Sequence, residues 1–169
     1  MGIKIIEHLF SNNEDIWKLL KHNSPDALQK PNLTIGEKRA LIYTGEGVQT
    51  EFRIFRQPFI EDVFEDVVAQ LRVYNSMLLP INRVHGVIDF CFEIVVHNKI
   101  IAIEGGYLNR MEVILQQLIG ALNGTEIGGV GKFFFNQEGQ YTNRAQLMIY
   151  NNRNYVGYKL IMSTRTGAE

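Results

Sequence analysis

The chain has 169 residues, 46% hydrophobic and 21% charged, with a formal net charge of −1 at pH 7. This composition is ordinary for one globular domain, and a chain of this length buries enough surface to fold without a metal or a disulfide. The near-neutral charge disfavours general electrostatic capture of nucleic acid. Cys91 is the single cysteine, which excludes an intramolecular disulfide and favours a reducing compartment. We therefore predict a single domain over residues 1–169, with no membrane span.

Residues 1–44 have the pattern of short helices. Ser11 and Glu14, and again Thr34 and Glu37, stand three positions apart just before apolar residues. That spacing predicts a capping box, in which the first side chain and the acid three residues later satisfy each other's backbone amides. Two or three helices are expected in this N-terminal segment.

From residue 45 onward the apolar pattern changes to the two-residue period of strands. We predict a short strand near residue 54, an edge or bend at Pro58, a strand at 67–74, a loop at 75–83 and a long strand at 84–97.

Residues 109–122 predict the clearest helix of the chain. Its apolar side chains recur at helical spacing, and Asn109 with Glu112 supplies a start. The apolar stripe consists of Leu108, Met111, Leu115, Leu118 and Leu122. Three strands, at 132–135, 145–150 and 155–162, are expected after it. The order of helices and strands predicts an α+β fold, a mainly antiparallel sheet packed by one long amphipathic helix and the short N-terminal helices.

The strand at 84–97 carries a polar file on one face, formed by His85, Asp89, Cys91, Glu93 and His97. His85, Asp89, Glu93 and His97 are each four residues apart, so successive members are about 13 Å apart along an extended strand. Such groups cannot converge on one ion or one substrate atom. We therefore predict no metal site and no cofactor here, and expect a solvated or partner-facing sheet surface.

Two other features invite a chemical interpretation, and the residues argue against both. In the glycine-rich stretch 124–132, Glu126 and Phe133 stand where a phosphate loop needs Gly and Ser or Thr. We expect a flexible connection there. Cys91 has Asp89 and Glu93 as its neighbours on the same face, and carboxylates raise a thiol's pKa. It is expected to be inert.

The layout of the chain resembles a known family. An N-terminal helical segment, the long strand 84–97, the helix 109–122 and the closing "Y-x-G-Y-x-L-x-M" strand 155–162 together resemble the tail terminator, or tail completion, proteins at the head-to-tail junction of bacteriophages. The stretch "NSPDALQKPNLT" at 23–34 resembles small phage neck proteins. The similarity of layout covers most of the chain after Phe52.

The resemblance implies a non-enzymatic virion protein, assembled in the bacterial cytoplasm. It would form a ring, commonly hexameric, that caps the tail tube and meets other neck and tail-tube proteins. Terminator, stopper and adaptor roles all remain open. Subunit-interface candidates are His85, Asp89, Glu93 and His97. Candidates for the wall of a lumen through which DNA passes are the acidic residues Glu61, Asp62, Glu65 and Asp66.

Two alternatives belong to other classes of protein. One is a small hydrolase using Asp89 or Glu93 with His85 or His97, or the paired acids of the 61–66 patch. The other is a monomeric ligand-binding domain.

Overall fold

A computed structural model describes residues 1–58, 66–81, 86–135, 144–150 and 154–166. The α-helices are α1 (Gly2–Asn12), α2 (Glu14–Lys21), α3 (Ile35–Ala40) and α4 (Arg110–Leu122). The strands are β1 (Ile54–Phe55), β2 (Ala69–Pro80), β3 (Gly86–His97), β4 (Glu126–Ile127), β5 (Gly131–Phe134), β6 (Ala145–Tyr150) and β7 (Tyr155–Thr166). Short 3-10 helices lie at Ala27–Gln29, Gln49–Glu51 and Asn98–Ile100. The α+β prediction is confirmed.

All seven strands belong to one curled sheet of order β1-β2-β3-β7-β5-β4, in which β6 also pairs with β7. Only β1 and β2 are parallel among these pairs. The register of β7 on β3 runs without a break from Tyr155 opposite His97 to Thr166 opposite Gly86. Its other edge is shared, because β6 pairs with residues 155–160 and β5 with 163–165. The last strand of the chain is thus central.

The main core lies between one face of this sheet and helices α1, α2 and α4. On β3 the alternate residues Ile88, Phe90, Phe92, Ile94 and Val96 point into it, as the two-residue period requires. Trp17 of α2 is fully buried, and its indole Nε1 donates to the carbonyl of Leu9 in α1 at 2.9 Å. This bond joins the first two helices.

Helix α4 confirms the predicted amphipathic helix, with two differences in its buried stripe. Leu108 lies before the helix and is only partly buried. Met111, Leu118 and Leu122 are buried as expected, while Leu115 is only partly buried and Ile114 takes the inner position. The helix therefore presents residues i, i+3, i+7 and i+11 to the core.

Of the two predicted capping boxes one is present and one is wrong, and the predicted start of α4 is a capping box as well. Thr34 with Glu37 and Asn109 with Glu112 form reciprocal boxes at the starts of α3 and α4. Ser11 instead lies inside α1, and α2 begins after Asn13, which makes no side-chain cap. The apolar residues of α1 and α2 pack in the same core. This packing favours a helix that continues through Ser11 to Asn12.

The strand predictions are correct in type but too short at two places. The loop predicted at 75–83 is wrong as far as Pro80, because β2 continues through a register shift between Asn75 and Met77. A β-bulge absorbs the extra residue. β7 continues to Thr166, beyond the predicted end at 162. The glycine-rich stretch 124–132, predicted to be flexible, contains β4 and the start of β5 in a tight hairpin.

Arg110, the first residue of α4, is completely buried and acts as a clamp between helices. Its guanidinium donates to four backbone carbonyls: Leu19 at 2.5 Å, His22 at 2.6 Å, Ile100 at 2.8 Å and Ser24 at 2.9 Å. Burial lowers the pKa of this group to about 10, so it stays charged at neutral pH. It satisfies carbonyls at the C-terminal end of α2 that a helix leaves unpaired.

No helix in the described parts of the chain is long and apolar enough to cross a bilayer.

Candidate functional site

The polar file of β3 lies on the sheet face opposite the main core, and it is buried. Asp89 is 4% exposed, Glu93 6% and His97 8%, while Cys91 is inaccessible. The alternation of polar residues predicts a face that contacts solvent or a partner, but other residues of the chain cover it. A second apolar cluster of Phe55, Val95, Tyr150 and Tyr155 lies on this side. The assignment of these polar residues to a contact between copies stays a prediction, and His85 lies outside the described residues.

The centre of this face is a set of polar groups around Glu93, here called the Glu93 cluster: Arg72, Tyr74, Cys91, Glu93 and Lys159. The Tyr74 hydroxyl donates to Glu93 Oε1 at 2.7 Å, and Lys159 Nζ lies 3.8 Å from the same oxygen. These residues come from three neighbouring strands that the register brings side by side.

Arg72 of β2 holds the other side of the cluster. Its guanidinium carbon lies 4.3 Å from the ring centroid of Phe55, and its Nη2 donates to Gln70 Oε1 at 2.9 Å. Burial lowers the pKa of Arg72 to about 10, and the nearby charge of Glu93 partly offsets this. A cation stacked on a desolvated ring is stabilised by about 2 kcal/mol or more.

The pKa values of Cys91 and Tyr74 in the Glu93 cluster fit a structural role and not a catalytic one. Burial is the largest cause that raises the pKa of Cys91 to about 11, and Glu93 contributes least. A raised pKa supports the prediction that the Cys91 thiol is inert. The main cause of the raised pKa is burial, however, and not the neighbouring carboxylates. Burial also raises the pKa of Tyr74, followed by its hydrogen bonds with Cys91 and Glu93. Both groups are protonated at neutral pH, so neither is an activated nucleophile.

The remaining members of the polar file have separate partners. Ser163 Oγ donates to Asp89 Oδ1 at 2.6 Å. The Lys99 backbone amide donates to His97 Nδ1 at 3.1 Å, and Tyr155 packs edge-on against the imidazole with ring centroids 5.0 Å apart. Asp89, Glu93 and His97 therefore do not converge. Among the described residues no group of three or more His, Cys, Asp or Glu is placed to hold a metal.

We expect His97 to make stability depend on pH. Burial, and then Lys99, lower its pKa from the ordinary value of about 6.5. A proton is therefore bound more weakly in the folded state, so stability is lost as pH falls below about 6.5 towards the folded pKa. His22, whose pKa is also lowered by burial first, adds to this loss.

The measurement is the urea midpoint at pH 7.5 and at pH 5.5. In His97→Gln, whose amide oxygen replaces Nδ1 as an acceptor, the drop between the two pH values is expected to be smaller than in the parent. An undiminished drop in His97→Gln would contradict the assignment.

Of the acidic lumen candidates, Glu61, Asp62 and Glu65 lie outside the described residues. Asp66 is exposed, and its backbone carbonyl accepts a hydrogen bond from the Tyr155 hydroxyl at 2.5 Å. Its carboxylate is accessible from solvent, as a lumen wall would need.

The far end of β2 exposes large apolar side chains, which sequence reasoning missed. Met77 is 37% exposed, Leu78 67%, Leu79 49% and Ile81 61%. Leu78 pairs with Ile88 and so shares the main-core face, whereas Met77 and Leu79 pair with Asp89 and Val87 on the other face. The strand end is apolar on both faces.

A second exposed apolar site lies on β6. Leu147 is 54% exposed and Ile149 62%. They pair with Tyr158 and Val156, which pack against the main core, so they share that face. The signal available in the sequence was the lack of charge: neither 73–80 nor 145–150 contains an acidic or basic residue.

A shallow groove of about 620 Å³ opens on the helical side, away from the Glu93 cluster. Its lining contains no Asp, Glu, Lys or Arg and is rich in side-chain amides. The lining residues are His8, Asn13, Gln116, Gln117, Gly120, Ala121 and Thr125.

These features define a small α+β protein whose buried polar groups support its own sheet and whose exposed apolar groups lie at strand edges. The YomW family model matches residues 13–164, so the chain belongs to the YomW family. This family is phage-derived, from the yom operon of SPbeta-like Bacillus phages. The protein is thus phage-associated, in agreement with the coarser part of the resemblance. No curated protein and no solved structure matched the chain.

Proposed function

We propose that this phage protein is a structural subunit of the virion that forms a ring at the tail end or neck, where the tail joins the capsid. The observation that carries the proposal is the presence of two separate exposed apolar sites on one sheet, at the end of β2 and on β6. Contiguous exposed apolar surface marks interaction sites in soluble proteins.

Two different sites on one chain suit a ring better than a two-fold dimer. A two-fold contact uses the same patch on both subunits, whereas a head-to-tail contact joins two different patches and closes into a ring when the rotation permits. β2 and β6 lie towards opposite sides of the sheet, separated by β3 and β7. Each copy can therefore contact one neighbour on each side.

The proposed position in the particle is supported by the phage-derived family and by the resemblance of the layout to tail terminator proteins. The ring would number six copies, meet other neck and tail-tube proteins, and let DNA pass through its lumen. A near-neutral chain with an exposed Asp66 suits such a passage, because strong basic contacts would hold the DNA.

The hydrolase alternative has weaker support. Asp89 and Glu93 are each engaged by hydrogen bonds inside the sheet, and His97 accepts from a backbone amide. The residues proposed for that chemistry have separate structural partners.

The test is to delete the gene in the phage and to image particles with and without the protein supplied in trans. We expect tails and filled heads that fail to join, with joining restored by the supplied protein, and density for a ring at the junction of normal particles. Normal joined particles after deletion, or absence of the protein from purified particles, would overturn the proposal.

A further inference from the structure

We propose that the contact between copies is strand pairing: the free edge of β2 in one copy pairs with the free edge of β6 in the next, so that one sheet continues from subunit to subunit. This rests on the ring of the proposed function and specifies its contact. The occupant of each edge is a second copy of this chain.

The β2 edge is open beyond its third and fourth residues, Leu71 and Arg72, which pair with β1. β2 pairs with β3 along one side, while on its other side only Leu71 and Arg72 pair with β1. From Val73 onward no strand within the described residues pairs with that side. An edge strand presents a row of backbone donors and acceptors that another strand can satisfy.

The β6 edge is open in the same way. β6 pairs with β7 from Ala145 opposite Leu160 to Tyr150 opposite Tyr155. Its other side has no strand partner in the part of the chain that the structure describes.

Neither edge carries the charged side chains with which proteins usually block edge-to-edge pairing. On β2, the bulge before Met77 and the proline at Pro80 do limit pairing to three residues, Met77, Leu78 and Leu79. On β6 the aliphatic stretch Leu147, Met148 and Ile149 is also three residues long, within an edge that runs from Ala145 to Tyr150. The aliphatic stretches on the two edges are equal in length and alike in chemistry.

The alternation of side chains restricts the pairing to two registers, which differ by two residues. Paired residues share a sheet face. Leu78, Leu147 and Ile149 point to the main-core face, while Met77, Leu79 and Met148 point to the other. Leu78 must therefore lie opposite Leu147 or Ile149 and not opposite Met148.

Pairing β2 with β6 also covers both of these apolar edges. A two-fold pairing of β2 with β2 would bury one edge and leave β6 open, and the reverse pairing would leave β2 open. In a closed ring every β2 and every β6 is used, because each copy supplies one of each.

Introduced cysteines test the pairing, and Cys91 does not interfere because it is buried. A short bis-maleimide is applied to purified particles and to concentrated purified protein. Leu78→Cys combined with Ile149→Cys or Leu147→Cys is expected to give a ladder of covalent multimers. Leu78→Cys alone and Leu78→Cys with Met148→Cys are expected to give little.

A covalent dimer from Leu78→Cys alone would overturn the proposal in favour of two-fold pairing. Absence of a ladder in particles that contain the protein would overturn it while leaving the ring intact. If the protein is absent from particles, the proposed function fails, and the ladder in concentrated protein still decides the pairing: its absence there overturns the proposal and its presence supports it.

A second test uses half-blocked variants, in which lysines are introduced at one of the two edges and the other edge is left unchanged. Leu78→Lys/Leu79→Lys and Leu147→Lys/Ile149→Lys each keep one edge, so each alone is expected to stop assembly in the phage while remaining folded by circular dichroism. The matched control is Ile35→Lys/Val48→Lys, which changes two residues that are 59% and 61% exposed elsewhere. It should assemble normally; normal assembly by either half-blocked variant would overturn the proposal.

Discussion

Gly157→Ala is expected to unfold the protein or to separate its two central strands. Gly157 lies opposite Val95 in the β3–β7 pair, and a Cβ at this position would lie 1.7 Å from the carbonyl oxygen of Ile94. The clash is with backbone, which cannot move without breaking ladder hydrogen bonds on both strands. We expect a loss of more than about 4 kcal/mol, a value reserved for strained or overpacked positions.

Gly120→Ala is the matched control. Gly120 lies on the exposed side of α4, with nothing within 4 Å of a Cβ built there. Alanine should stabilise this helix by about 0.5–1 kcal/mol. Urea unfolding of the parent protein, Gly157→Ala and Gly120→Ala measures both effects. If Gly157→Ala has near-normal stability, β3 and β7 are farther apart than described.

Arg110→Met is expected to cost about 3–5 kcal/mol, the range seen when one member of a buried charged interaction is removed. Methionine roughly fills the space of the side-chain stem but donates no hydrogen bond. The carbonyls of Leu19, His22, Ser24 and Ile100 would each lose a charged donor inside the protein. Buried acceptors without partners carry the desolvation penalty in full.

The control for this variant is Arg39→Met, since Arg39 is exposed on α3. Its effect should stay within about 0.5 kcal/mol, as for most surface changes. Arg110→Lys separates charge from geometry: a single ammonium cannot reach all four carbonyls, so most of the loss should persist. If Arg110→Met and Arg39→Met are equally stable, the clamp between α2 and α4 contributes nothing.

The elements that sequence predicted well are those specified by neighbouring residues. Helix α4 has its capping pair, its apolar period and its terminal asparagine within one stretch. The strand at 145–150 is flanked by polar residues in the sequence. The errors occur where the structure of a segment depends on residues that are distant in the sequence. Asn75 and Ser76 have turn composition, yet pairing with β3 keeps them in β2 through a bulge.

The burial of the polar file could not be read from β3 itself. Alternating polar residues usually mean a wet face, but here Phe55, Tyr150 and Tyr155 cover it from elements far apart in sequence. The predicted separation of Asp89, Glu93 and His97 holds because it depends only on strand geometry. The exposed apolar edges could not be predicted, because the sequence of a strand does not show whether an apolar side chain faces a core or solvent.

The central position of β7 has a consequence for biosynthesis. β3 obtains its second neighbour only when residues 155–166 have been made, some sixty residues after β3 itself. At about 5–20 residues per second of translation, the nascent chain spends several seconds with the middle of its sheet open. A prematurely stopped product lacking β7 would expose Phe90 and Phe92, and we expect such fragments to be degraded or to aggregate in the host.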